Sequence, residues 1–437
     1  MIDNQTGFGD FCVGTVEVQD PFNACAPPVM MLTVSGEVKT ETQQSVEEVK
    51  VELSATDPFE MTDAQGNYAF ENMPAGGDYN VLPSKDDDHL NGVSTLDLIL
   101  IQRHILGIEE LDSPYQLIAA DVNSSEDING IDLVELRKLI LGVYEELPDN
   151  TSWRFVDAEY KFADATNPWL STIAESYGII NLSMDMDIDF VGVKIGDVNG
   201  DLTLNAQANA VGTRSSGAPL VMEYDGIKVT KGEEVVVPFY FRNYEQVSGW
   251  QTTMEWDADK LELVDLISKT PFIPVNHNLE SAKDGLITMS QAGNKAEDKS
   301  KEEVVFELRF KVKEDIDLST ALELTSAITV AEGYRGYDQK VDLRLDTRVS
   351  EESEIISVTP NPWITMTEVN FYIAQEGEGI WEFYDVNGRK LHRVTDEYTA
   401  GLHTLILTRE QINATGVIYA KLTTDQSVAE YKMIIVD

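Results

Sequence analysis

The chain has 437 residues, with 77 acidic against 32 basic side chains and a formal net charge of -45. This length predicts several domains, and the charge disfavours nucleic acid and anionic membranes as partners. The charge favours divalent cations, although solubility explains part of the acidic excess equally well. No apolar run approaches the ~20 residues of a membrane-spanning helix, so membrane insertion is not expected.

Residues 1–28 contain one isolated strand pattern, between Phe11 and Val18. It resembles the last strand of an immunoglobulin-like repeat, of the kind found in large bacterial surface proteins, and the remaining residues form a linker. More chain is therefore expected before Met1. In an exported protein Cys12 and Cys25 are predicted to form a disulfide, with two free thiols as the alternative.

Residues 29–84 alternate apolar and polar side chains over short segments separated by turn signals. The segment 62–70 reads Thr-Asp-Ala-Gln-Gly-Asn-Tyr-Ala-Phe. It resembles the hairpin of carboxypeptidase-regulatory-like and collagen-adhesin B-type domains. The resemblance implies a β-sandwich that serves as a spacer.

Residues 85–149 contain two segments that repeat each other at an offset of 35 residues, which separates Asp97 from Asp132 and Gly107 from Gly142. Calcium takes roughly 6–8 oxygen ligands, and a twelve-residue loop offers them at positions 1, 3, 5, 7, 9 and 12. The second segment fills these positions with Asp121, Asn123, Ser125, Asp127, Asn129 and Asp132. The first places Asp86, Asp88, Leu90, Gly92, Ser94 and Asp97 there.

The first loop is predicted to bind calcium more weakly, because Leu90 offers only its backbone oxygen. An apolar helix pattern with a closing glycine follows each loop. The pair resembles the type I dockerin module, whose loop–helix units end in Asp and lack an entering helix. The resemblance implies two Ca²⁺ ions as cofactors. Ordinary solvated turns are the alternative.

Residues 150–205 are predicted to be an aromatic-rich junction with a third candidate calcium loop. Its oxygen donors are Asp197, Asn199, Asp201, Thr203 and Asn205. No acid stands at position 12, so the hypothesis is that Asp185, Asp187 or Asp189 closes the site. A plain Asn-Gly turn is the alternative. Residues 206–219, rich in Ala, Asn, Gly and Ser, are predicted to form a flexible linker.

Residues 220–346 give a further all-β pattern. Between Gly232 and Val264 the sequence has a Gly-x-x-Val-x-Val-Pro strand, followed by a strand that ends in Trp-Asp-x-x-x-Leu-Glu-Leu. These motifs resemble a cohesin-type jelly-roll sandwich, the receptor fold for dockerins. The resemblance implies cohesin–dockerin contact, within one chain or between chains. A cohesin-like fold without such binding is the alternative.

Residues 347–437 carry Thr359-Pro360-Asn361-Pro362, Asp385-Val386-Asn387-Gly388, Gly401-Leu402-His403, Gly416-Val417-Ile418-Tyr419 and a Lys432-Met433 terminal strand. These motifs resemble the type A C-terminal sorting domain of the type IX secretion system of Bacteroidetes. The resemblance implies recognition by the translocon and export to the cell surface or medium.

The sequence contains no nucleophile elbow, zinc-protease motif or phosphate-binding loop, and its histidines are scattered, so an enzyme is not predicted. The predicted fold class is mainly β and multidomain: several immunoglobulin-like or jelly-roll sandwiches and one small helical calcium module. The predicted function is a calcium-stabilised structural or adhesive region of a secreted or fibre-forming protein, with self-assembly possible. The alternatives are a cohesin–dockerin binding module and the accessory tail of a secreted polysaccharide-degrading enzyme.

Overall fold

The structure is a computed structural model that describes residues 30–54, 59–204, 217–270, 273–300, 302–348 and 352–436. The predicted fold class is confirmed, because the described residues form three β-sandwiches and one small helical module. The predicted strand within 1–28, the Cys12–Cys25 disulfide, Asn205 and most of the linker at 206–219 lie outside the described residues.

The first sandwich is built from nine short strands. They are β1 (Met31–Thr40), β2 (Lys50–Leu53), β3 (Phe59–Met61), β4 (Asn67–Pro74), β5 (Tyr79–Ser84), β6 (Trp153–Asp157), β7 (Tyr177–Ile179), β8 (Met186–Asp187) and β9 (Phe190–Lys194). One sheet has the order β4-β1-β9-β6, with β8 also paired to β1, and the other has the order β3-β2-β5-β7. Alternate side chains of β1, including Val34 and Val38, are fully buried between the sheets.

The domain boundary predicted at residue 84 is wrong, and residues 150–205 do not form an irregular junction. The strands β6 to β9 complete the first sandwich, since β9 pairs with β1 in parallel and β7 pairs with β5. Trp153 and Phe155 of β6 belong to its core. The helical module is therefore an insertion between β5 and β6.

The helical module contains α1 (Thr95–Ile105), α2 (Pro114–Ala120) and α3 (Gly130–Ile140). The sequence pattern predicted α1 and α3 but not α2. Ser94 and Asn129 are the N-caps of α1 and α3, and each forms a capping box with the Asp three residues on. Gly107 and Gly142 follow the helices with φ of 62° and 66°, a backbone conformation that glycine adopts without strain.

The second sandwich spans residues 220 to 348. Its strands are β10 (Leu220–Asp225), β11 (Lys228–Val229), β12 (Glu234–Arg242), β13 (Val247–Trp256), β14 (Leu261–Ser268), β15 (Asn276–Asn278), β16 (Leu286–Glu297), β17 (Phe306–Val312), β18 (Ile316–Asp317), β19 (Leu322–Thr325), β20 (Glu332–Arg335) and β21 (Gln339–Arg348). The main sheet path is β14-β17-β12-β10-β21-β20-β13-β16-β15, and β11 pairs with β18. The core is aromatic, with Phe239, Phe306 and Trp250 stacked on one another.

The third sandwich contains β22 (Glu354–Thr359), β23 (Met366–Ile373), β24 (Gly377–Asp385), β25 (Lys390–Tyr398), β26 (Gly401–Thr408), the short helix α4 (Arg409–Ile412), β27 (Gly416–Thr423) and β28 (Val428–Ile435). Its sheets have the orders β22-β23-β26 and β25-β24-β27-β28. Trp363, Trp381 and Phe383 fill its core.

One buried carboxylate lies where the second and third sandwiches meet. Asp225 at the end of β10 is fully buried, and neither of its side-chain oxygens has a hydrogen-bond partner. Burial raises the pKa of Asp225 to about 6, with nearby Glu354 and Glu223 adding to the increase and Arg348 opposing it. Above about pH 6 Asp225 is therefore charged in the folded chain, and its buried charge lowers the stability of the fold.

Asp225→Asn is expected to stabilise the chain at pH 7.5 by about 3 kcal/mol, since the pKa rises from 3.8 to about 6 on folding and one pKa unit corresponds to about 1.4 kcal/mol. The folded pKa exceeds the unfolded one, so the wild type gains stability as the pH falls from about 6 towards about 4. The advantage of the variant should then disappear. Denaturant titrations at pH 7.5 and 4.5 measure this, with the exposed Asp346→Asn as control; a pH-independent difference would contradict it.

Candidate calcium loops and the helix–sheet interface

The second predicted calcium loop is formed as one compact turn before α3. Asp121 and Asp132 are both fully buried. The carboxylate of Asp121 accepts hydrogen bonds from the amides of Ser125 and Glu126 at 2.8 and 2.9 Å. Burial raises the pKa of both aspartates, and the charge of Asp121 raises that of Asp132 further. The loop therefore concentrates negative charge in a poorly solvated place.

The other predicted residues of this loop carry oxygen atoms around the same turn. Asn123 Oδ1 accepts from the Ser125 amide at 3.2 Å, and Ser125 Oγ donates to the carbonyl of Asp127 at 3.2 Å. Asn129 Oδ1 caps α3. Glu126 at position 6, where calcium loops usually have glycine, adopts φ of 62°. All six predicted residues thus lie on one loop, and the ligand atoms that they offer are oxygens, which fits Ca²⁺.

The first predicted loop differs from the second in its hydrogen bonds. Asp86 Oδ1 accepts from the amide of Ser152 at 2.7 Å, and Asp86 remains about half exposed beside His89. Within the described ranges, no hydrogen bond joins Asp86 or Asp88 to Asp97. Residue 86 lies two residues after the end of β5, and its contact with Ser152 places it beside the start of β6, at the edge of the first sandwich.

Gly92, assigned to position 7 of that loop, instead approaches the third candidate loop. It has φ of 77°, and a Cβ atom there would lie 2.6 Å from Asp197 Oδ2. Leu90 lies in the turn before it, where its carbonyl accepts from the amide of Val93 at 3.1 Å. Only Ser94 and Asp97 of the first predicted set lie in a loop–helix arrangement like that of the second loop.

The third candidate loop contacts α1, whereas the acids proposed to close it do not. Asp185, Asp187 and Asp189 accept hydrogen bonds from Thr33, Ser35 and Glu37 of β1. Among the described residues, no hydrogen bond joins these three carboxylates to the loop that begins at residue 197, so their role in a third calcium site stays a prediction. The acid that meets the loop is Asp97, and the spacing alone gave no signal for this pairing because the two segments are about a hundred residues apart in sequence.

The described residues contain no group of three or more His, Cys, Asp and Glu side chains placed to hold a metal ion. Both candidate loops depend on amide, hydroxyl and carbonyl oxygens in addition to their carboxylates. Such mixed oxygen sets are the ligands that Ca²⁺ prefers.

The helical module packs on the second sandwich through α1. The Thr95 amide donates to Gln251 Oε1 at 2.6 Å, and Thr95 Oγ1 lies 2.8 Å from Ser290 Oγ. Ile99, one turn further along, is fully buried, and a Cβ atom on Gly249 of β13 would lie 2.9 Å from its Cδ1. The absence of a side chain at residue 249 lets the helix approach the sheet closely.

The C-terminal end of α1 is held by Arg103. Its guanidinium lies 3.6 Å from the centre of the Tyr337 ring and donates to the carbonyl of Asn294 at 3.2 Å. It also pairs with Glu109 at 2.9 Å. A planar, stacked and hydrogen-bonded guanidinium is a geometry that lysine does not reproduce.

The third helix contributes its end to the same sheet. The carbonyl of Leu141 accepts from Thr288 Oγ1 at 2.6 Å and from Asn278 Nδ2 at 3.2 Å. The carbonyl of Ile140 accepts from Thr329 Oγ1. The sandwich thus satisfies carbonyls that the last turn of a helix leaves without partners.

The two repeats are used differently at this interface. Leu96 and Ile99 of α1 are 4% and 0% exposed, whereas their counterparts in α3, Ile131 and Val134, are 57% and 43% exposed. Only one of the two equivalent helix faces therefore lies against the sheet.

Two parts of the chain match the family models of non-catalytic modules. Residues 89–141 match the family model of the dockerin type I domain, and residues 220–341 match that of the cohesin domain. Comparison with curated proteins gives no match.

Solved cohesin structures resemble part of the chain. A type I cohesin–dockerin complex from Clostridium thermocellum is 13% identical, covering 30% of this chain and 100% of that one, with a TM-score of 0.24. A non-cellulosomal cohesin from Archaeoglobus fulgidus is 17% identical, covering 30% of this chain and 87% of that one, with a TM-score of 0.23. A cohesin from Clostridium acetobutylicum is 14% identical, covering 31% of this chain and 96% of that one, with a TM-score of 0.23.

Among the described residues, no helix has the length and apolar character needed to cross a membrane.

Proposed function

We propose that this chain is a calcium-stabilised, non-catalytic structural region of a secreted or cell-surface bacterial protein. In it, the dockerin-type helices are fastened to the cohesin-type sheet of the same chain. The observation that carries the proposal is the contact of Thr95 with Gln251 and Ser290, which joins the two modules within one polypeptide. A docking pair used in this way fixes the angle between neighbouring sandwiches and leaves neither module free for another partner.

Calcium is proposed as the ion that holds the loop before α3. Asp121, Asn123, Ser125 and Asp132 would hold it through side chains, with the carbonyl of Asp127 and with Asn129 completing the set. The bound ion supplies positive charge that offsets the buried carboxylates. Because the unfolded chain does not gather these oxygens, binding adds to the stability of the folded module.

Export by the type IX secretion system is proposed from the motifs of the third sandwich. In that case the partner of the last sandwich is the translocon, and the chain acts outside the cell. The motif residues Asp385 and Gly388 form the turn after β24, where Asp385 accepts hydrogen bonds from the amides of Asn387 and Arg389 at 2.9 and 3.0 Å. A surface-exposed turn of this kind is accessible to a recognition partner.

A second candidate is docking between chains, and the exposed apolar face of α3 favours it. If the module can turn over, Ile131 and Val134 would take the places of Leu96 and Ile99 on a sheet. The chain would then join other copies of itself or act as the docking tail of a secreted polysaccharide-degrading enzyme.

Cross-linking in the full chain separates these two candidates. With Cys12 and Cys25 replaced by serine, Thr95→Cys combined with Ser290→Cys is expected to oxidise to a monomeric disulfide. The reason is that the side-chain oxygens of Thr95 and Ser290 lie 2.8 Å apart. Non-reducing gels and peptide mass spectrometry identify the product.

The matched control combines Gly130→Cys with Ser290→Cys. Residue 130 is the equivalent of residue 95 in the second repeat. The control is expected to give no rapid cross-link, because residue 130 stands on the helix that presents only its end to the sheet. Cross-linked dimers from the first pair, or equal cross-linking by the second, would support docking between chains instead.

A further inference from the structure

The loop after β9 lies against the beginning of α1, and it matches the first half of the second calcium loop. Asp197 accepts hydrogen bonds from the amides of Asp201 and Leu202, four and five residues further on, at 3.3 and 3.2 Å. Asp121 accepts the same pair, from residues four and five further on, at 2.8 and 2.9 Å. The two loops therefore share the turn around their first carboxylate.

The resemblance extends to the third position and to the backbone between. Asn199 Oδ1 accepts from the amide two residues further on at 3.0 Å, and Asn123 Oδ1 does the same at 3.2 Å. The residue after each, Gly200 and Ser124, has φ of 70° and 54°. A left-handed residue at this point is thus common to both loops.

The start of α1 supplies the equivalent of the second half of the calcium loop before α3. Asp97 accepts from the amide of Asn199 at 3.4 Å, as Asp132 accepts from the amide of Asn123 at 3.3 Å. Asp97 and Asp132 also accept from the N-cap amides of their own helices, at 2.9 and 2.8 Å. Asp97 therefore holds the position-12 place relative to the loop that begins at residue 197.

A second contact, in addition to that of Asp97, joins the two segments. The amide of Thr203 donates to Asn91 Oδ1 at 3.0 Å, and Asn91 Nδ2 donates to the carbonyl of Thr203 at 3.0 Å. This reciprocal pair brings the end of one half-loop beside the start of the other, where a continuous loop would run through covalent bonds.

The charges at this junction call for a cation. Asp97 is fully buried and Asp197 is 7% exposed. Lys340 of the second sandwich lies 3.2 Å from Asp201 but shares its charge with Glu332. Oxygen donors around buried carboxylates suit a hard divalent ion.

The family match gives an independent indication. It begins at residue 89 and so includes Ser94 and Asp97 but neither Asp86 nor Asp88. The helix and the second half of its loop are therefore dockerin-like, whereas the residues expected to supply the first half fall outside the match.

We infer that the first calcium site is split across the chain: Asp197, Asn199, Asp201 and the carbonyl of Thr203 form its first half, and Ser94 and Asp97 its second. The inference rests on the proposed calcium role and assigns its residues. The chain then binds two calcium ions, one in a continuous loop and one that ties the end of the first sandwich to α1. Residues 86 and 88 are not ligands.

The test is calorimetric titration of the chelator-stripped full chain with calcium chloride. The wild type is expected to bind two ions. Asp197→Asn and Asp121→Asn are each expected to remove one, or to weaken one site at least 30-fold. Asp201→Asn, at a partly exposed position, should weaken one site at least 10-fold. The matched control, Asp86→Asn with Asp88→Asn, should retain two sites of unchanged affinity.

Three bound ions in the wild type would overturn the split site, as would loss of one ion in the control or two unchanged sites in Asp201→Asn. Each of these results leaves a calcium role for the module intact. A wild type that binds no calcium would overturn both the split site and the proposed calcium role.

Discussion

Removal of calcium with excess chelator is expected to lower the melting temperature of the helical module and the first sandwich by at least about 10 °C. One site contributes about 4 kcal/mol when free calcium exceeds its dissociation constant about 1,000-fold. In a unit of 150–250 residues, 1 kcal/mol shifts melting by roughly 2–4 °C. Asp121 and Asp132 are buried close together, so the folded module is expected to be sensitive to the loss of an ion that offsets their charge.

The measurement is a thermal scan in 1 mM calcium, in chelator, and after calcium is restored, with magnesium as the control ion. Hydrogen exchange shows where the protection is lost. The amides of α1, α3 and β9 should lose it, whereas β22 to β28 should keep it because the third sandwich contains no predicted calcium ligand. An unchanged scan in chelator would contradict the proposed role of calcium.

The parts of the module that the sequence predicted correctly depend on neighbouring residues. The helices α1 and α3 follow from apolar spacing, a capping Ser94 or Asn129, and a closing glycine. The second candidate calcium loop has all its predicted oxygen ligands within twelve residues, so spacing alone was enough to bring Asp121 and Asp132 to one turn.

The parts that were missed depend on contacts between distant segments. Strand β9 pairs with β1 in parallel although about 150 residues separate them in sequence, and no local pattern marks such a pairing. A separation of about a hundred residues likewise hid the contact of Asp97 with Asn199.

The sequence did not determine the interface between the modules, for a different reason. The residues that follow each loop differ between the repeats, Thr95 against Gly130 and Arg103 against Lys138. That difference indicates a single mode of packing but not which helix is used. The structure selects α1 because Gly249 leaves room for Ile99.

Ile99→Asp is expected to release the helical module from the second sandwich, whereas Val134→Asp is expected to leave it in place. The two positions are equivalent in the repeats, but Ile99 is fully buried against the sheet and Val134 is 43% exposed. A buried unpaired carboxylate and the lost apolar contact cost about 4 kcal/mol. A surface substitution costs about 0.5 kcal/mol or less.

The cost at Ile99 cannot exceed the free energy of docking, because beyond that point the module separates and the new carboxylate reaches water. The expected sign of separation is faster hydrogen exchange in β13 and β16, with the two calcium-binding events unchanged, since neither residue is a ligand. If the two variants had equal effects, the destabilisation would come from placing an aspartate within a helix and not from the loss of the interface. Unchanged exchange in Ile99→Asp would mean that α1 does not hold the sheet, and the contacts of Thr95 and Arg103 would then have to suffice for docking.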